Sequence, residues 1–197
     1  MATIDPRLTD ARTVDGWEPT YLPAALESVL TPEMCEETIR IAREIGFEPS
    51  LINPGTGSGN IADDRVSESV WIPPERFPEL YRIIGDTLKD MNEKFYRFSI
   101  YGMNPIQVIR YEAGSFFRSH CDIAGGDSAR RKISLIVQLS DPDDYAGGDL
   151  AFFEQLNVPR ARGYGCVFPS WCMHRVEKVL KGARYSLAAW AKGKYFF

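Results

Sequence analysis

The chain has 197 residues, of which 44% are hydrophobic and 25% charged. That length buries a core without disulfides or a structural metal, and that composition excludes disordered and fibrous classes. A net charge of −4 argues against a nucleic-acid partner held through phosphates.

No apolar run approaches the roughly 20 residues that cross a bilayer. The opening residues show neither a basic start nor an apolar core of a secretory signal. No membrane partner is expected, and a cytoplasmic location is. Cys35, Cys121, Cys166 and Cys172 form no CxxC pair, so free thiols are expected. Charge is uneven along the chain: residues 1–98 carry 10 basic and 18 acidic side chains, residues 99–197 carry 13 and 9. A basic second half suits a small anion, or is a solvated surface bias.

In chain order, residues 1–30 are rich in Pro, Asp and Thr and are expected to form an N-terminal arm. Residues 31–97 read as a helical support region. Thr31 can cap a helix, Pro32 fits its first position and Gly46 suits its stop. Met34, Ile41, Ala42 and Ile45 form its apolar stripe. A second helix follows in PELYRIIGDTLKDMNEKF, with Leu80, Ile84, Leu88, Met91 and Phe95 at spacings of three and four. Between the helices, the glycines of 50–65 lack the Lys-Ser/Thr of a phosphate loop. A surface loop that can cover a site is expected there.

From residue 98 the pattern is that of strands. PIQVIRYEA is β-rich, and KISLIVQLS alternates strictly, with Ile133, Leu135, Val137 and Leu139 on one face. GDLAFF, GYGCVFP, HRVEKV and RYSLAAWA follow as shorter strands. This spacing indicates a sandwich, barrel or jelly roll with N-terminal helices packed against it, a mainly β (α+β) fold in one structural domain.

The chemistry-bearing residues lie in the β region. In extended chain His120 and Asp122 point to one face while Cys121 turns away. The chain's other histidine, His174, starts a later strand, and Arg184 follows ten residues on with Ser186 on the same face. A guanidinium fork beside a hydroxyl suits a carboxylate. Two imidazoles and a carboxylate on one side of a metal leave open positions, the facial triad of non-haem Fe(II) oxygenases.

This ordering resembles the Fe(II)/2-oxoglutarate-dependent dioxygenases, in particular their prolyl-hydroxylase-like branch. The resemblance covers about residues 62–192. It is carried by RVSESVW (65–71), QVIRYEAGSFFRSHCD (107–122), RKISLIVQLSDPDDYAGGDL (131–150), GCVFPSWCMHRV (165–176) and GARYSLAAW (182–190). It implies a double-stranded β-helix (jelly roll) core over 98–197, with His120, Asp122 and His174 as ligands of Fe(2+). It implies that Arg184 pairs with the distal carboxylate of 2-oxoglutarate, with Ser186 as helper and Tyr111 lining the cosubstrate pocket. The implied catalytic set is His120, Asp122, His174 and Arg184. The implied reaction consumes O2 and 2-oxoglutarate, releases succinate and carbon dioxide, and hydroxylates an unactivated C–H, with ascorbate as supporting reductant. A prolyl residue in a peptide or protein is the expected substrate, and a free amino acid or other small metabolite the alternative. Arg65 is a further candidate for the pocket.

Simpler roles stand beside these. Phe116, Phe117, Trp171 and Trp190 suit core packing, although Trp190 alternates with Ala188 and Ser186 and could close the pocket. Arg130, Arg131 and Lys132 are either a solvated strand entrance or an attraction for an acidic or backbone-carbonyl substrate. Arg118 shares the expected metal face of its strand. Readings of another class are a zinc module built from His120, Cys121, Cys166, Cys172 and His174, and a jelly-roll binding protein without turnover.

Overall fold

The computed structural model describes residues 21–50, 64–153 and 156–195. Most of the expected arm (1–20), most of the expected surface loop (51–63) and the terminal 196–197 lie outside the described residues.

Helix α1 runs from Pro32 to Ile45, with the Thr31 hydroxyl accepting the Met34 amide at 3.3 Å and Gly46 at φ +102° ending it. Its buried stripe is Cys35, Thr38, Ile41 and Ala42. Ile45, expected inside, is exposed. The face that meets the sheet is therefore rotated from the most hydrophobic reading, and Thr38 satisfies its hydroxyl on the Met34 carbonyl at 2.7 Å.

Helix α2 spans Pro78–Met91 and buries Leu80, Ile84, Leu88 and Met91, as the spacing predicts. Each fully buried aliphatic side chain of this kind is worth about 1.5–3 kcal/mol. A π-helical turn then covers Asn92–Tyr96. Its wider turn shifts the inward position by one, so Tyr96 rather than Phe95 is buried. The Tyr96 hydroxyl sits 3.1 and 3.0 Å from the Leu22 and Val167 carbonyls, tying helix to sheet.

The strands are β1 (Ala24–Leu26), β2 (Glu48–Pro49), β3 (Arg65–Val66), β4 (Glu68–Ile72), β5 (Ile100–Met103), β6 (Ile106–Glu112) and β7 (Phe116–His120). They continue with β8 (Arg131–Gln138), β9 (Tyr145–Gly147), β10 (Leu150–Phe152), β11 (Leu156–Asn157), β12 (Gly165–Pro169), β13 (His174–Val176) and β14 (Val179–Gly193). The larger sheet has the order β1-β12-β8-β14-β6-β4-β2, with β5 and β9 also pairing with β14; the smaller is β11-β10-β13-β7-β3. Every pairing among the described residues is antiparallel. HRVEKV is thus two strands: β13 belongs to the smaller sheet and β14 to the larger.

Two cores follow. Ile133, Leu135 and Val137 of β8 join Leu80, Ile84, Leu88 and Ile41 on the helix side of the larger sheet. Ile136, Phe152, Phe168, Val176 and Trp190 lie between the sheets. β8 is buried along nearly its whole length because helices cover one face and the second sheet the other.

Candidate active site

A cavity of about 240 Å³ opens between the sheets; its lining includes His120, Asp122, His174, Tyr111, Arg184 and Ser186. The two imidazoles face each other across the β7–β13 pair, whose register sets His174 opposite His120. Strand β7 ends at His120. The next turn is held by the Asp122 amide donating to the Ser170 carbonyl at 2.9 Å.

Hydrogen bonds fix how each ring is presented. His120 Nδ1 lies 2.8 Å from the Arg118 carbonyl and His174 Nδ1 lies 3.0 Å from the Cys172 carbonyl. A carbonyl only accepts, so each Nδ1 carries the proton and each Nε2 keeps its lone pair. The Nε2 atoms stand 3.9 and 3.8 Å from the Asp122 carboxylate oxygens. Those gaps are too long for hydrogen bonds and roughly twice a metal–nitrogen bond. His120, Asp122 and His174 are the one group of metal-ligating side chains gathered within 4.8 Å among the described residues.

Electrostatics agree with a ligand set. Burial, with His174 alongside, pushes His120 well below its ordinary value, which keeps the ring neutral. Burial would raise Asp122, but His174, His120, Arg131 and the Ser134 hydroxyl together hold it lowered and ionised. Ser134 donates to Asp122 Oδ2 at 2.6 Å, and Arg131 Nη1 donates to the Asp122 carbonyl at 3.2 Å. Phe117 stacks on the His120 ring at 3.5 Å. Two neutral imidazoles and one carboxylate, with open cavity on the far side, fit a six-coordinate ferrous ion with vacant positions.

Arg184 is only 1% exposed. Its Nη2 donates to Gln138 Oε1 at 2.9 Å and its Nη1 to Ser186 Oγ at 3.4 Å, while its Nε has no partner. The guanidinium lies 5.4 Å from the Tyr111 ring centre. Ion pairs join other arginines to carboxylates nearer the surface, such as Arg110 to Glu68 and Arg162 to Glu36. Arg184, the most buried of them, pairs with no carboxylate of the described residues. A buried cation left so is costly unless an anion arrives.

The structure brings together all six residues predicted for the site: His120, Asp122, His174, Arg184, Ser186 and Tyr111. Cys121 lines the same cavity, with its thiol donating to the Ile123 carbonyl, whereas Cys172 donates to the Tyr21 carbonyl. Cys166 is buried in the inter-sheet core. No cysteine joins the triad, so the zinc module is not assembled. Of the basic run only Arg131 faces the cavity. Trp171 packs on Tyr21 and Phe98 instead. Ser134 and Gln138 were not singled out from sequence. Their signal was the polar face of β8, opposite the apolar residues that drew attention.

A jelly roll whose inner face carries two histidines, an aspartate and a buried arginine defines an iron oxygenase of the facial-triad class. The model of the 2OG-Fe(II) oxygenase superfamily matches residues 106–192. A PKHD-type hydroxylase of Thermosynechococcus vestitus is 33% identical over 180 residues, covering 85% of this chain and 76% of its own. A PKHD-type hydroxylase of Cupriavidus metallidurans is 27% identical over 183 residues, with the same coverage. Among solved structures, the viral collagen prolyl hydroxylase of Paramecium Bursaria Chlorella virus-1 superposes with TM-score 0.70 at 21% identity, covering 89% of this chain and 97% of its own. A Pseudomonas putida prolyl-4-hydroxylase gives 0.70 at 18% identity, covering 87% and 92%. The chain belongs to the 2OG-Fe(II) oxygenase superfamily. It is a 2-oxoglutarate-dependent dioxygenase, a hydroxylase that uses Fe(2+), 2-oxoglutarate and O2. No helix among the described residues is long and apolar enough to cross a membrane.

Proposed function

We propose that His120, Asp122 and His174 hold the ferrous ion, that Arg184 grips the distal carboxylate of 2-oxoglutarate, and that the group hydroxylated is a prolyl residue in a peptide or protein. The observation that carries the reading is the buried Arg184 guanidinium, without a carboxylate partner among the described residues, in the cavity that holds the triad. With iron in place, 2-oxoglutarate and dioxygen supply the oxidising power that inserts one oxygen atom into a C–H bond as succinate and carbon dioxide leave. The chain's own residues do the rest. Arg118 and Cys172 carbonyls keep both imidazoles in the ligating tautomer, and Ser134 orients the carboxylate. Ser186 and Gln138 hold the guanidinium fork, while Phe117, Phe168 and Phe152 exclude water around the rings.

The cavity lining supports a prolyl substrate. Trp71 and Trp190 line it with ring centres 6.0 Å apart, and Arg131 sits 3.8 Å over Trp190 with its Nε unpartnered. An aliphatic five-membered ring packs on indole, and a backbone carbonyl accepts from the guanidinium. The structural neighbours named as prolyl hydroxylases point the same way. A second reading, a free amino acid or other small metabolite, is favoured by the cavity's modest 240 Å³. Incubation with Fe(2+), 2-oxoglutarate and proline-containing peptides separates them. Succinate release with peptide mass rising by one oxygen atom is expected. Succinate release stimulated only by small molecules overturns the peptide reading.

A further inference from the structure

Arg65 opens β3 at the edge of the smaller sheet, where it pairs opposite Phe117. Its Nε donates to Ser67 Oγ at 2.7 Å, and its guanidinium lies 4.6 Å over the Phe117 ring, which in turn stacks on His120. The far end of the side chain is different. Nη2 is wholly buried and has no hydrogen-bond partner, and the residue lines the same cavity as the triad. No carboxylate of the described residues lies within ion-pair distance of it. Burial disfavours its charge, and the groups that oppose this are Tyr111 and Asp122. Tyr111 therefore has one guanidinium over its ring, Arg184, and a second, Arg65, as a neighbour on the triad side.

Arg65 and Arg184 thus join Arg131 in lining one small cavity, each with an unpartnered buried nitrogen. Arg131 is taken up by the Asp122 carbonyl and the Trp190 ring, which leaves Arg65 and Arg184 on either side of Tyr111. A packing role for Arg65 is complete once Nε has met Ser67, the planar group has met Phe117 and the Tyr111 side chain lies alongside; the buried Nη2 is surplus to it. A buried N–H left without a partner costs free energy that an incoming acceptor recovers. A single carboxylate can be met by Arg184 with Ser186 and Gln138 alone. A dianion with a second carboxylate beside the metal ligands would use both.

We propose that Arg65 is a second anion-binding residue of the cosubstrate site, its Nη2 donating to the carboxylate at the keto-acid end of 2-oxoglutarate while Arg184 holds the distal one. The proposal rests on the reading given under Proposed function and adds to it a charge partner on the smaller sheet. It makes the pocket selective for dianions at both ends, and it makes Arg65 a residue that positions the keto acid rather than a strut for β3.

The test is calorimetric titration of anaerobic Fe(2+)-loaded protein with two probes: 2-oxoglutarate, and oxalate, which reproduces the chelating end without the tail. Arg65→Met is expected to weaken both probes by about 10- to 100-fold, the effect of losing charge-assisted hydrogen bonds. Arg184→Met is expected to weaken 2-oxoglutarate and leave oxalate unchanged. Arg65→Lys, which keeps the charge and loses the fork, should retain more oxalate affinity than Arg65→Met, and it carries the test if the methionine variant does not fold. Metal content and melting temperature are measured on the same samples. Oxalate affinity unchanged in the Arg65 variants, with iron retained, overturns the proposal and leaves the functional reading standing. Wild-type protein that takes up iron but not 2-oxoglutarate refutes both.

Discussion

Replacing Arg184 by methionine separates what this residue does for the reaction from what it does for the fold. On the proposed reading two N–H groups meet the distal carboxylate, each worth about 1.5–3 kcal/mol as a charge-assisted bond. Their loss raises the KM for 2-oxoglutarate roughly a hundred- to ten-thousand-fold. Iron affinity stays as it was, because Arg184 is on β14 and touches no member of the triad.

The stability arithmetic runs the other way. Taking an uncompensated buried cation out of the ligand-free protein is favourable, by about 1–4 kcal/mol in comparable cases. The single variant strands Gln138 Oε1, now accepting from Arg184 at 2.9 Å, at a cost of about 1–3 kcal/mol. The two effects nearly cancel. Pairing Arg184→Met with Gln138→Leu removes both partners, and the double variant should melt above wild type by about 2–4 °C for each kcal/mol gained. Succinate formation at graded 2-oxoglutarate gives KM, and thermal melts with and without cosubstrate give the rest. Cosubstrate raises the melting temperature of wild type and not of the variants. An unchanged KM refutes the role of the guanidinium, and a lower melting temperature in the double variant refutes the desolvation argument.

Ser134→Ala removes the 2.6 Å brace on Asp122 and should weaken iron binding by about 10- to 100-fold in a metal-competition titration; equal affinity would show that the hydroxyl does not orient the carboxylate. Ser134 and Gln138 are four residues apart on β8, about 13 Å, so Ser134→Ala and Gln138→Leu should add within about 0.3–0.5 kcal/mol, with any larger coupling counting against separate braces. Burial pushes Cys35 and Cys172 up to about 11 from 9.0, and Cys166 higher still. The folded protein therefore keeps protons that the unfolded chain releases above about pH 9, so stability is full below that pH and falls as pH rises through it. Urea midpoints that stay level up to about pH 10 would contradict this. Gly182 sits at φ +72°, and a Cβ there would lie 2.0 Å from the Asp144 carbonyl oxygen. Gly182→Ala should open the β9–β14 pairing and cost more than about 2 kcal/mol, read as a lower melting temperature; an unchanged melt would place that strain elsewhere.

How much of this was legible beforehand depended on the range of the signal. Local chemistry read well: Thr31, Pro32 and Gly46 bound α1 because caps and stops act within a turn. The strict alternation at 131–138 is a strand for the same reason. Helix faces read less well, since Ile45 is out and Thr38 in for reasons that lie in the sheet beneath them. The short strands β1, β2 and β3 carry two or three residues each, too few to show a period. They exist because a neighbouring strand offers hydrogen bonds. At the site, residue types that are rare and chemically pointed were visible, above all the chain's two histidines. Ser134 and Gln138 were not, because a serine or glutamine on a strand is ordinary until the opposite sheet turns its face into a pocket wall.

That second coverage of β8 explains how one scaffold gathers side chains so far apart in sequence around one cavity. The histidines belong to the smaller sheet, where strand pairing alone sets their separation. The cation belongs to the larger sheet, on β14. Neither sheet could fix the distance between them unaided, since the cavity that separates them is open. β8 supplies the fixed reference: it is in register with β14 over seven residue pairs, and from one face it reaches Asp122 through Ser134 and Arg184 through Gln138. Its opposite face is locked into the helix-side core by Ile133, Leu135 and Val137. The apolar residues that made β8 conspicuous are therefore the anchor, and its polar residues transmit that rigidity to both ends of the cavity. A packing defect at Leu135 should on this account disturb iron and 2-oxoglutarate binding together, although the side chain touches neither.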